Sequence, residues 1–194
     1  MCIRDSHKAI VVSQSEMKAM STLKTPSDAL AVFAMPNEQI LSQSKLILAL
    51  ESIQDPGNLG AIIRLCDWFG IQDIVCSFDT VDCYNPKVIR STMGSLARVQ
   101  VLYKDLQTWL RGMHDCQIVA TSMDGQSVYE FNFDSPTVLV IGNEGRGLSK
   151  QMQELATNAV SIPRYGGAES LNAAMASGII VAEVRRKTTI GKQS

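Results

Sequence analysis

Residues 45–70 read KLILALESIQDPGNLGAIIRLCDWFG, an apolar run followed by a polar turn and an amphipathic segment. Residues 45–53 are apolar on both faces of a strand, which is typical of a strand that helices cover on both sides. In the second part the apolar side chains recur at helical spacing and leave Arg64 and Trp68 off the apolar face. This pattern predicts a helix with Asn58 as its N-cap and Gly70 just beyond its end.

The same alternation of apolar strands and amphipathic helices continues to the end of the chain. Further strands are predicted at residues 73–77, 99–103, 117–123, 137–142 and 159–163. Helices are predicted at residues 59–69, 86–93, 105–113, 148–157 and 171–187. Strands that are apolar on both faces and separated by helices predict an α/β fold with a parallel sheet between two helical layers.

The first part of the chain has a different pattern. Residues 7–35 predict a strand, a short helix, a turn and a second strand, with the apolar stretches at residues 9–12 and 29–34. We therefore divide the chain into a small N-terminal domain at residues 1–36, a linker at 37–44 and a main domain at 45–194.

Composition and charge exclude several classes of protein. The chain has 194 residues, of which 45% are hydrophobic, and its net charge of −1 supplies no global basic field for nucleic acid. Any nucleic-acid partner must therefore be held by a local patch or by a part of the protein outside this sequence. A membrane span needs an apolar run of about 18 residues, which is absent, and no signal peptide is recognisable, so we expect a cytoplasmic protein without a membrane partner. Its five cysteines contain no C-x-x-C pair, so neither a disulfide framework nor a metal site is indicated.

Ligands in open parallel sheets bind at the carboxyl ends of the strands, so the loops after the predicted strands are the first candidates for a site. One of them, VLVIGNEGRGLS at residues 138–149, places glycines around Glu144 and Arg146. It has neither the Walker spacing nor the G-x-G-x-x-G dinucleotide fingerprint, which argues against a nucleoside triphosphate or NAD. A tight turn with a salt-bridged Glu144 and a solvated Arg64 is the purely structural alternative.

Another loop, GGAESLNAAMASG at residues 166–178, leads into a helix of small residues. Free backbone N–H groups at a helix start favour an anion or an electron-rich ligand atom, and Glu169, Ser170 and Asn172 lie there. Ser170 as a simple N-cap would leave Asn172 unexplained, because asparagine is a poor choice inside a helix. The small side chains that follow predict the close approach of another backbone or of a second subunit.

Three stretches together resemble a known family. DPGNLGAIIR at residues 55–64, LVIGNEGRGLS at 139–149 and IPRYGGAESLNAAMA at 162–176 resemble the signature motifs of the SpoU (TrmH-type) RNA ribose 2′-O-methyltransferases of the SPOUT superfamily. The resemblance covers about residues 45–187. It implies a SPOUT-type parallel sheet with a C-terminal trefoil knot, S-adenosylmethionine (SAM) as cofactor, tRNA or rRNA as substrate, and a homodimer with active sites at the subunit interface.

The resemblance also implies roles for individual residues. Those expected to contact SAM, largely through their backbone, are Gly142, Ile162 and Leu171. Those that match the polar active-site positions are Asn58, Arg64, Glu144, Ser170 and Asn172. Arg64 is expected to act as a base or to contact phosphate or a developing alkoxide, and the contact role is at least as plausible because a guanidinium stays protonated in proteins.

Three departures and two alternatives accompany this resemblance. Arg164 stands where the family commonly has Met, and Ala173 and Ala174 replace a more usual Val-Ser pair. Residues 7–35 resemble the second half of the small α/β RNA-binding domain that often precedes a SpoU domain. The alternative functions are a catalytically inactive SpoU-like RNA-binding protein and a nucleotide-binding oxidoreductase.

Overall fold

The computed structural model describes residues 10–21, 23, 25–35, 45–133 and 136–190. The chain divides into two compact units, residues 1–37 and 38–194. The first unit contains helix α1 (Gln14–Met20), which Ser13 caps in a capping box with Glu16. No residue of α1 is buried.

The two strands predicted in the first unit are absent from all of their residues that the structure describes, so this prediction is wrong there. Residues 10–12 and 29–34 adopt no strand, and Val11 is 98% exposed. A strand is stable only when a neighbouring strand pairs with its backbone groups, and the described residues of this unit supply none. The expected linker at residues 37–44 lies outside the described residues.

The second unit alternates strands and helices as the sequence pattern predicts. Its elements are β1 (Leu46–Leu50), α2 (Pro56–Trp68), β2 (Asp73–Cys76), α3 (Pro86–Ser91), β3 (Gln100–Tyr103), α4 (Leu106–Arg111), β4 (Gln117–Ser127), β5 (Thr137–Ile141), α5 (Lys150–Leu155), β6 (Asn158–Ser161) and α6 (Ala173–Ile190). A short 3₁₀ helix, Ser95–Ala97, precedes β3. All six predicted strands and five predicted helices of this unit are confirmed, with shifted ends.

The six strands form one parallel sheet in the order β3-β2-β1-β5-β4-β6. Every residue of the central strands β1 and β5 is buried. Alternate side chains of β1 enter two cores: Leu48 packs with residues of α2 and α6, and Ala49 with residues of α4 and α5. Helices therefore cover both faces, and the α/β prediction is confirmed.

The thiols of this unit are free. Cys66, Cys76 and Cys83 are buried, and burial raises the pKa of the Cys83 thiol to about 11. Within the described ranges, no cluster of three or more His, Cys, Asp or Glu side chains could hold a metal ion. None of the helices in that part of the chain is long and apolar enough to span a membrane.

Candidate functional site

A cavity of about 750 Å³ lies beside the carboxyl ends of β5 and β6. The loops that follow these two strands supply most of its wall, and residues 121–124 of β4 and a few residues of α5 and α6 also line it. All three residues expected to contact a cofactor, Gly142, Ile162 and Leu171, line it. The cavity is large enough for a nucleoside-sized ligand, since ligand pockets occupy roughly 300–1,000 Å³.

The loop after β5 folds back tightly on itself. The backbone of Asn143 pairs with that of Gly147 through N–H···O contacts of 3.2 and 2.9 Å. A Cβ on Gly142 would lie 2.4 Å from the carbonyl carbon of Gly147 and 2.5 Å from the backbone nitrogen of Leu148. Only a residue without a side chain fits there, so this part of the cavity wall is backbone.

Three of the five expected polar residues form a row of hydrogen-bonded side chains, which we call the polar chain. The Asn58 side-chain amide donates to Glu144 Oε1 over 2.5 Å, and the Asn172 amide donates to Asn58 Oδ1 over 2.7 Å. The three side chains come from α2, from the loop after β5 and from the residue before α6. Glu144 also lines the cavity, so the polar chain runs from the cavity wall to the start of two helices.

The structure corrects the expected cap of α2 and rules out the alternative in which Ser170 caps α6. Asp55, not Asn58, is the N-cap of α2: its carboxylate accepts from the Asn58 N–H over 2.8 Å. Asn172, not Ser170, caps α6, with Oδ1 accepting from Ala174 N (2.9 Å) and Met175 N (3.2 Å). Asn58 is thus free to use its side chain in the polar chain, and Asn172 does both tasks at once.

The two remaining polar residues, Ser170 and Arg64, are not part of the polar chain. Ser170 is exposed and lines the cavity two residues before the α6 cap. Arg64 is exposed on α2, does not line the cavity, and forms no hydrogen bond or ion pair with any residue that the structure describes. Trp68, one turn further along the same face, is 84% exposed. The expectation that both side chains leave the apolar face is confirmed.

The sequence reasoning missed two contributors to this site. Residues 121–124, in the middle of β4, line the cavity, but all except the last lie within the predicted strand 117–123 and gave no signal of a site. Asn143 forms three side-chain hydrogen bonds, to Ser52 O, Gly145 N and Arg146 N. Its position directly after a strand and a glycine was a signal that could have found it.

Substitutions at Asn172 should separate capping from the polar chain. Asn172→Ala is expected to lower the free energy of unfolding by about 1 kcal/mol, because α6 loses its N-cap. Asn172→Asp keeps the acceptor and adds a negative charge at a helix N-terminus, so stability should stay near that of the wild type while the donor to Asn58 is lost. Urea unfolding measures both. An equal loss in the two variants would show that the bond to Asn58, not capping, stabilises the fold.

The comparisons with known proteins agree on one family. The sequence profile of the SpoU rRNA Methylase family matches residues 45–182. A 23S rRNA (guanosine(2553)-2′-O)-methyltransferase from Bacillus subtilis is 32% identical over 178 residues, which cover 90% of this chain and 71% of that protein.

Two solved structures extend the similarity to the fold. One from Porphyromonas gingivalis, assigned to the TrmH family of RNA methyltransferases, is 38% identical with a TM-score of 0.79, covering 88% of this chain and 70% of that one. The SpoU methyltransferase AviRb from Streptomyces viridochromogenes, in complex with AdoMet, is 33% identical with a TM-score of 0.72, covering 80% of this chain and 63% of that one.

Proposed function

We propose that this chain, which belongs to the SpoU rRNA Methylase family, transfers the methyl group of SAM to a ribose 2′-hydroxyl of rRNA or tRNA. The observation that carries the proposal is the meeting of Glu144, Asn58 and Asn172 at the edge of a cavity with a backbone wall. SAM-bound structures and a 2′-O-methyltransferase among the similar proteins support the cofactor and the reaction.

The cavity fits SAM by its size and by its lining. Gly142, Ile162 and Leu171 would hold the cofactor through backbone groups and apolar contacts. Bound there, SAM supplies an activated methyl group on a sulfonium. Since no metal is required for such a transfer, the chain's own contribution is to align the ribose hydroxyl and to assist the loss of its proton.

The polar chain is the part of the site that would orient the ribose. Glu144 accepts from Asn58, and Asn58 accepts from Asn172, so each side chain fixes the orientation of the next. Ser170, exposed on the cavity wall, is free to contact the substrate. Such pre-formed polar networks lower the cost of positioning a reacting group.

Arg64 would act on the RNA side of the reaction. Its guanidinium is exposed and unpaired within the described residues, as expected of a group kept for a substrate phosphate or a developing alkoxide. A guanidinium stays protonated in proteins, so an arginine is poorly suited to removing a proton. We therefore propose that Arg64 contacts the substrate and does not act as the base.

The finer architecture is also part of the proposal. We propose that the segment before α6 threads the chain into a trefoil knot. Two contacts of this segment and of α6 support the threading: the hydrogen bond of Asn172 with Asn58 and the packing of α6 on α2. Residues 1–36 would be part of an RNA-binding domain, 37–44 a linker and 45–194 the methyltransferase domain. The cytoplasm is the proposed location, since the proposed RNA substrates are there.

A homodimer is the proposed assembly. The exposed apolar side chains on α2 and at the start of α6, Trp68 and Met175, would lie in the contact between the two subunits. We expect the wild type to be a dimer by light scattering at micromolar concentration and Trp68→Glu to shift it towards monomer. Phe78→Glu, at an equally exposed aromatic residue outside both helices, is the control and should remain dimeric. A monomeric wild type would contradict the proposed assembly.

Transfer of tritium from methyl-labelled SAM to bulk RNA tests the function. The proposal predicts label in the RNA. A catalytically inactive RNA-binding protein would retard RNA in a gel and transfer no label. The oxidoreductase alternative predicts neither RNA binding nor transfer. Label-free RNA after incubation with folded, SAM-bound protein would therefore overturn the proposed activity.

A further inference from the structure

Asn143 is the most extensively hydrogen-bonded side chain of the loop after β5. Its Oδ1 accepts from the N–H groups of Gly145 and Arg146 over 2.9 and 3.2 Å. Its Nδ2 donates to the Ser52 carbonyl over 2.9 Å. One end of the side chain therefore shapes the loop, and the other ties it to the segment that follows β1.

The anchor at Ser52 is itself held in place. Ser52 has a positive φ of 57°, an uncommon conformation for a residue other than glycine. Its N–H donates to the Ser77 hydroxyl over 2.8 Å, and its hydroxyl donates to Asp79. The hydrogen bonds from Ser52 and Ser77 lower the pKa of Asp79. The Nδ2 of Asn143 thus donates to a residue that is itself hydrogen-bonded to the segment after β2.

The other end of the loop reaches the polar chain. Glu144 directly follows Asn143, and its carboxylate accepts from Asn58. A loop free to rotate about Asn143 would present Glu144 in several directions, whereas a loop fixed at both ends of one side chain presents it in one. Fixing such a group in advance removes an ordering cost that binding or catalysis would otherwise incur.

We propose that Asn143 is a positioning residue: it holds residues 142–148 in the shape that binds SAM, and it points Glu144 at Asn58. This inference rests on the proposed function for its ligand and reaction. It differs from ordinary turn formation, which needs only the Oδ1 acceptor. The proposal requires the Nδ2 donor to Ser52 as well.

Two variants separate the halves of the side chain. Asn143→Ala loses both halves, and Asn143→Asp keeps the acceptor but loses the donor and sets a carboxylate oxygen against the Ser52 carbonyl. We expect both to weaken SAM binding by about tenfold or more, the scale of one lost hydrogen bond, by isothermal titration calorimetry. At saturating SAM, the single-turnover rate should also fall in both, because Glu144 is misdirected.

Thr157→Val is the matched control for a general loss of stability. The Thr157 hydroxyl bonds both backbone groups of Ile118, away from the cavity lining, so this variant should lower the thermal midpoint while SAM affinity stays unchanged. Wild-type SAM affinity and rate in Asn143→Ala, or in Asn143→Asp alone, would overturn the proposal.

Amide exchange provides a readout that does not depend on SAM. The N–H groups of Gly145 and Arg146 should exchange faster in Asn143→Ala than in the wild type, and unchanged exchange would overturn the positioning role. A wild type that binds no SAM would be a failure of the proposed function, and it would appear before any variant is compared.

Discussion

Gly142→Ala is expected to abolish SAM binding, an effect of at least a hundredfold. A Cβ at this position would lie 2.4 Å from the carbonyl carbon of Gly147 and 2.5 Å from the nitrogen of Leu148, far inside van der Waals contact. Both are backbone atoms, so no side-chain rotation relieves the clash, and the loop must move away from β5. Because this loop forms the cavity wall, the movement changes the shape of the proposed cofactor site. Calorimetric titration with SAM measures the loss.

Gly166→Ala is the matched control for that experiment. Gly166 also lines the cavity, but a Cβ there meets no atom within 4 Å. This variant should bind SAM like the wild type. Should Gly142→Ala fold poorly, circular dichroism and thermal unfolding would show it before the titration. A folded Gly142→Ala variant with unchanged SAM affinity would place the cofactor elsewhere.

Arg64→Ala is expected to lower the rate of methyl transfer by about a hundredfold or more, as is usual for loss of a charge-stabilising group. The side chain is exposed and forms no hydrogen bond or ion pair with a described residue, so the free energy of unfolding should change by no more than about 1 kcal/mol. SAM affinity should be unchanged, since Arg64 does not line the cavity. Single-turnover methylation at saturating SAM and RNA is the measurement.

Two further variants define the role of Arg64. Arg64→Lys should recover part of the rate if the group holds a phosphate as a simple cation, and little of it if a bidentate contact is required. Arg111→Ala, on the exposed face of α4, is the control for the loss of one surface arginine and should react like the wild type. A wild-type rate in Arg64→Ala would reduce this residue to a solvated surface arginine.

The local patterns in the sequence were sufficient for the sheet and its helices. β1 and β5 are buried along their whole length. In the sequence each is a continuous apolar run, which predicts a strand that is buried on both faces. The exposed face of α2 follows from helical periodicity in the same way. The N-terminal strands could not be judged by this rule, because an apolar stretch predicts a strand only where a partner strand exists to pair with it.

The helix caps show a different limit. Asp55 followed by Pro56 is a good signal for a helix start, and it competes with the nearby Asn58 for the same assignment. Only the structure shows that Asp55 caps the helix and that the side-chain amide of Asn58 donates to Glu144. At α6, Ser170 and Asn172 are both acceptable cap residues, and only the structure shows that Asn172 is the one that caps the helix.

The polar chain itself could not be derived from spacing. Asn58 lies 86 residues before Glu144 and 114 before Asn172, and nothing local specifies that their side chains touch. The resemblance to a family supplied these residues, and the fold supplied the contacts between them. Residues 121–124 were indicated neither by a local pattern nor by the resemblance. They line the cavity because β4 pairs with β6, a contact between segments distant in sequence.

The central claim is that the methyl group is transferred to a ribose 2′-hydroxyl, and the alkali stability of the product tests it most directly. Alkali cleaves RNA through attack of the 2′-hydroxyl on the neighbouring phosphate, and a 2′-O-methyl group blocks that attack. RNA labelled by this protein with tritiated SAM and then hydrolysed in alkali should retain the label in a dinucleotide that resists cleavage. Label found entirely in mononucleotides would mean methylation at a base and would contradict the account.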